Sequence, residues 1–73
     1  MFNTKEEFLE CYEENFKKYI SGTKNQLDTY NELMSIITLG YLRLGYKIMA
    51  ELKEQMEEIR ERNLKWNNTE LLN

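Results

Sequence analysis

The sequence has no histidine, no proline and no valine, and only one cysteine and one alanine in 73 residues. A single thiol, Cys11, cannot form an internal disulfide, so no covalent crosslink stabilises the chain. Without histidine the usual zinc donor sets are excluded. The Glu-x-x-His pairs of helical di-metal sites are excluded as well, and a Cys11 nucleophile would have no imidazole base. No Gly-x-Gly-x-x-Gly or P-loop pattern occurs. No metal, cofactor or catalytic residue is therefore expected, and the chain does not read as an enzyme.

Positive charge is also scarce. Ten Lys and Arg stand against 13 Asp and Glu, for a net charge of −3. A phosphate-rich partner wants clustered cations, so nucleic acid is not an expected partner. A membrane is not expected either: the apolar stretch 33–50 carries Arg43 and Lys47 near its middle, each costing about 2.5–3.5 kcal/mol on insertion scales. The first seven residues lack a basic stretch followed by an apolar core and do not read as a signal peptide. The lone cysteine fits a reducing, cytoplasmic setting.

The residues that are abundant form helices. Hydrophobic residues make up 41% and charged residues 32%, a balance suited to a folded chain. Thr4-Lys5-Glu6-Glu7 has the form of a capping box. Phe8, Tyr12, Phe16 and Tyr19 follow at helical spacing, widened by Leu9 and Ile20. Glutamates crowd the early turns and Lys17 and Lys18 the last, as the helix dipole favours. Gly22 is a natural stop. The spacing predicts a first helix over about 4–21, and Thr23-Lys24-Asn25-Gln26 repeats the capping pattern for a second.

Beyond that cap, apolar residues fall at Leu27, Tyr30, Met34, Ile37, Tyr41, Leu44 and Ile48, then at Leu52, Met56 and Ile59. One extra four-residue step resembles a coiled-coil stutter. The ladder runs past Gly40 and Gly45 without interruption, which predicts one long helix over about 24–65 and a short tail, 66–73. The competing reading breaks at Gly40 or Gly45 into a three-helix bundle, since each glycine costs a helix interior about 1 kcal/mol. A third, a β-hairpin over 35–48, needs sheet partners the chain lacks. The expected fold class is thus all-α, a helical hairpin in a single domain that assembles as a helical-bundle oligomer.

The expectation of assembly comes from surplus apolar surface. Ile36, Leu39, Leu42, Tyr46 and Met49 form a second apolar set on another face, and a helix apolar nearly all round is buried on all sides. A first helix of about 27 Å cannot cover a second of about 60 Å. A chain this short buries only about 60% of its unfolded surface alone, and without disulfide or metal, oligomerisation is the remaining support. Ile37, Tyr41, Leu44, Ile48, Leu52, Met56 and Ile59 are the candidate oligomer interface, with two long helices crossing near the glycines. Arg43, Tyr46 and Lys47 are the candidate surface for a partner or anionic ligand, because an aromatic among cations serves either. The carboxylates Glu6, Glu7, Glu10, Glu13 and Glu14 read as a solvated face.

Brevity, scarce alanine and abundant Asn, Lys, Glu and Ile resemble small accessory proteins of low-GC bacteria, their phages and mobile elements. That resemblance implies a protein that binds and modulates a larger one, in some cases inhibiting it. The alternatives are an oligomer that sequesters a small anionic ligand or nucleotide, and a structural assembly subunit.

Overall fold

The computed structural model describes residues 2–22 and 25–72, with side chains as far as Lys65. Among the described residues there are three helices and no strand: α1 (Lys5–Ser21), α2 (Gln26–Leu44) and α3 (Tyr46–Leu72). The all-α expectation holds, with bundle-like packing. The single long helix does not: Gly45 divides it, and the expected tail continues α3 to Leu72.

The first cap forms much as its sequence suggests. The Thr4 hydroxyl accepts from the Glu7 N–H at 3.2 Å. Glu7 returns the bond to the N–H of Asn3, at 3.3 Å, rather than to that of Thr4. Phe2 folds back edge-on against Phe8, ring centroids 5.2 Å apart, and acts as a hydrophobic staple on the first turn. Gly22, at φ 69°, ends α1 in the left-handed conformation. The cap of α2 is Asn25, whose side-chain oxygen accepts from the Leu27 N–H at 2.9 Å. Thr23 and Lys24, expected to share that role, lie outside the described residues.

Gly45 adopts φ 95° and ψ 156°, a region essentially reserved for glycine. Its N–H donates to the Tyr41 carbonyl at 3.2 Å and its carbonyl accepts from the Met49 N–H at 3.1 Å. One residue therefore closes α2 and opens α3. The sequence ladder crossed this point because its steps at 44, 48, 52 and 56 are all fours. That irregularity marks the break. Past it, α3 keeps its own alternating seam of Met49, Leu52, Met56, Ile59 and Asn63.

The core is built on Phe8, Tyr12 and Phe16, which recur every fourth residue and point one way from α1. Their rings stack at 6.1 Å and 6.1 Å. The column continues through Tyr19 at 6.3 Å to Tyr30 of α2 at 6.0 Å. Leu33 from α2 and Met49, Leu52 and Ile59 from α3 complete the buried set. Each such burial stabilises by about 1.5–3 kcal/mol relative to exposure.

The face that α2 turns inward is Thr29, Leu33, half-buried Ile36 and Gly40. The Thr29 hydroxyl is satisfied within its own helix, donating to the carbonyls of Asn25 and Gln26 at 3.2 and 3.1 Å. Gly40 lies where all three helices meet. A Cβ there would come within 2.7 Å of the Phe8 ring and 2.9 Å of the Met49 sulfur. The close approach expected between two long helices near this glycine is found instead within one chain, against the side chains of α1 and α3.

Two outcomes follow for the glycines. Gly40→Ala gains about 1 kcal/mol of helix propensity but overpacks by roughly 1–3 kcal/mol. Because Phe8 is fully buried and cannot retreat, the net effect is a loss, visible as a fall in melting temperature. Phe8→Leu in the same chain relieves part of it in a double-mutant cycle. Gly45→Ala meets no clash yet costs about 1–3 kcal/mol through backbone strain. It should lower the melting temperature more than Gly22→Ala, whose left-handed site is less restrictive.

Candidate interaction surface

With the inward face of α2 committed to Thr29, Leu33 and Gly40, the first apolar ladder turns outward. Leu27 is 66% exposed, and Tyr30, Met34 and Tyr41 lie between 43% and 46%. Ile37 and Leu44 are half-buried along the edge of the core. Of the 19 residues of α2, only Asp28, Glu32 and Arg43 are charged. At 100° per residue these three gather on the side diametrically opposite the ladder. The outward strip is therefore apolar with polar edges at Asn31 and Thr38, and carries no charge.

At the Gly45 corner the exposure is greatest: Leu42 is 76% and Tyr46 75% exposed. The ring of Tyr46 rests against Tyr41, centroids 5.9 Å apart. Arg43 and Lys47 are exposed, one on each helix, and among the described residues neither has an ion-pair partner.

The residues expected to form an oligomer interface thus separate. Ile37, Tyr41, Leu44 and Ile48 keep accessible surface. Leu52 and Ile59 are buried in the chain's own core and Met56 is half-buried beside them. The break at Gly45 is the cause, since it folds α3 back so that its apolar seam faces α1. The stretch expected to need a second chain is largely covered by the first.

A shallow hollow of about 350 Å³ lies elsewhere, lined by Phe2, Glu7, Glu10, Cys11 and Glu14. Its carboxylates disfavour an anion, and it does not include Arg43, Tyr46 or Lys47. The Cys11 thiol accepts from the Asn15 side-chain N–H at 3.7 Å, while the same amide donates to the Cys11 carbonyl at 2.8 Å. Among the described residues no cluster of His, Cys, Asp and Glu is placed to hold a metal ion. Burial holds the Tyr12 phenol above its ordinary value, with Arg60 opposing, so it stays protonated at neutral pH and is no base. No helix among the described residues is long and apolar enough to cross a membrane.

One polar site escaped the sequence reading. Buried Asn63 donates to the Ile59 carbonyl at 2.7 Å and to the Glu13 carboxylate at 3.0 Å. Arg62 pairs with the same carboxylate oxygen. Those bonds, from Arg62 first and then Asn63, hold the Glu13 carboxyl below its usual 4.5. The only signal in the sequence was an Asn falling in phase with Leu52, Met56 and Ile59.

No protein-family model matches the chain, and neither a comparison with curated proteins nor one with solved structures finds a match.

Because the Glu13 carboxyl is depressed in the folded chain, the unfolded chain takes up the proton first as pH falls. The stabilisation is complete above the ordinary carboxylate value and is lost as pH drops through the folded one. Arg62 is largely exposed, so the gain is modest, within about 1 kcal/mol. Glu13→Gln should therefore be less stable than the parent in urea at neutral pH, with the gap closing in acid. A gap independent of pH would contradict the assignment.

Proposed function

We propose that this chain is a small oligomeric interaction module that binds and modulates a larger protein, acting by occupancy rather than by catalysis. One observation carries the reading. Leu27, Tyr30, Met34, Tyr41, Leu42, Tyr46 and Ile48, seven of the exposed large apolar side chains, all lie on α2 or the first turn of α3. The three tyrosines alone expose on the order of 300 Å² if a whole ring side chain presents about 200 Å². That is the size of the largest apolar patch on a typical monomer, which is often a functional surface.

The corner of Leu42, Arg43, Tyr46 and Lys47 is the surface we assign to the larger partner. Tyrosine and arginine are among the residues that most often dominate binding energy. The two cations suit an acidic patch on the partner, and the turn at Gly45 sets the end of α2 beside the start of α3. The modulating role accords with the compositional resemblance to small accessory proteins. The free thiol of Cys11 accords with a cytoplasmic setting.

The test is quantitative capture by the tagged chain from a lysate of its source cells. A partner should be retained at fixed stoichiometry and lost at least tenfold when Arg43→Glu is combined with Tyr46→Glu. Glu57→Ala, at an exposed position on α3, should leave capture unchanged. Retention that ignores the corner substitutions would reject this surface.

A further inference from the structure

The outward ladder of α2 has a symmetry that surplus apolar area alone does not require. Its members, Leu27, Tyr30, Met34, Ile37, Tyr41 and Leu44, are separated by steps of three, four, three, four and three. That series reads the same in both directions. Reversed about a point between Ser35 and Ile36, Leu27 falls on Leu44, Tyr30 on Tyr41 and Met34 on Ile37. In heptad terms each pair joins an a position to a d position, the layer pattern of an antiparallel pair of helices. A surface that maps onto itself under a two-fold rotation is what an isologous dimer needs.

We propose that a second copy of this chain covers the outward face of α2, the two α2 helices packing antiparallel about a two-fold axis beside Ser35 and Ile36. Tyr30 then meets the partner's Tyr41, Met34 the partner's Ile37, and Leu27 the partner's Leu44. The inference rests on the reading of the chain as an association module, and it names the first partner as the chain itself.

Charge and area both fit. Asp28, Glu32 and Arg43 lie on the far side of α2, and the residues flanking the seam, Asn31 and Thr38, are uncharged. The α2 seam itself therefore sets no like charges against one another when two copies meet. Cores of interfaces are similarly depleted in charge and enriched in tyrosine and methionine. Leu27, Tyr30, Met34 and Tyr41 keep between 43% and 66% of their surface exposed, and this is the apolar area a second copy would remove from water. Tyr46, whose ring rests on Tyr41, borders the seam, while Leu42, Arg43 and Lys47 lie off it, so the dimer presents two copies of the corner.

Light scattering coupled to size exclusion gives the mass, expected at twice 8.9 kDa. Met34→Glu should reduce it to a monomer that keeps its helical circular dichroism, since Met34 is outside the core. Leu27→Glu, more exposed still, serves if that variant fails to fold. Orientation is read by crosslinking in a Cys11→Ser background. An equimolar mixture of Tyr30→Cys and Tyr41→Cys chains should form the mixed disulfide, and neither variant should crosslink alone. A monomeric parent, a dimer indifferent to Met34→Glu, or either single variant crosslinking with itself would overturn the proposal. A monomer that still captures a larger protein through Arg43 and Tyr46 would sink the dimer and leave the module reading standing. A dimer that captures nothing would do the reverse.

Discussion

The absence of one side chain, at Gly40, is the constraint on which the three-helix arrangement depends. Helices packed through ordinary side chains keep their axes about 8–10 Å apart. At Gly40 the ring of Phe8 and the thioether of Met49 occupy the space that a Cβ would take. Phe8 is fully buried as a result, and the aromatic column that starts at Phe2 is anchored there. Methionine is suited to its side of this contact, because an unbranched, polarizable chain fills an irregular gap. Gly45 then supplies the geometry that brings Met49 back to that contact within one turn.

This arrangement explains which parts of the fold were legible. α1 was, nearly to the residue, because its cap, its four-residue aromatic repeat and its terminal glycine all agree. The helical class was legible from composition and from the three- and four-residue spacing of the apolar residues. The partition of the second half was not. Periodicity counts apolar side chains, and the buried face of α2 contains a threonine and a glycine where such counting expects large ones. The stronger apolar ladder was the outward one. It crossed Gly45 only by an accident of spacing, since three successive fours keep a helical phase that the backbone abandons. Asn63 was missed for the converse reason: a polar residue in an apolar seam shows its purpose only once Glu13 is known to lie opposite.

The candidate surface was legible in part. Arg43, Tyr46 and Lys47, read from the sequence as a partner or ligand surface, are exposed, and so is Tyr41, read as part of an oligomer interface, while Leu52 and Ile59 of that interface are consumed by the intramolecular core. The exposed apolar side chains gather mostly on α2 and the first turn of α3 rather than along the whole of 42–59. Charge follows the same division. α1 and α3 carry acids and bases along their lengths, and α2 almost none. A helix poor in charge between two rich in it has little to keep water at its outer face beyond Asn31, Thr38 and the tyrosine hydroxyls.

The amide of Asn63 has a consequence for how far the helices can slide. In an otherwise greasy groove, α3 shifted by one turn of about 5.4 Å would still bury hydrocarbon against hydrocarbon at comparable cost. Its amide would keep the Ile59 carbonyl of its own helix but lose the Glu13 oxygen that now receives it, and an unpaired N–H in such surroundings is costly. A single carboxamide thus acts as a detent, giving α3 one axial position along α1 where oil alone would tolerate several.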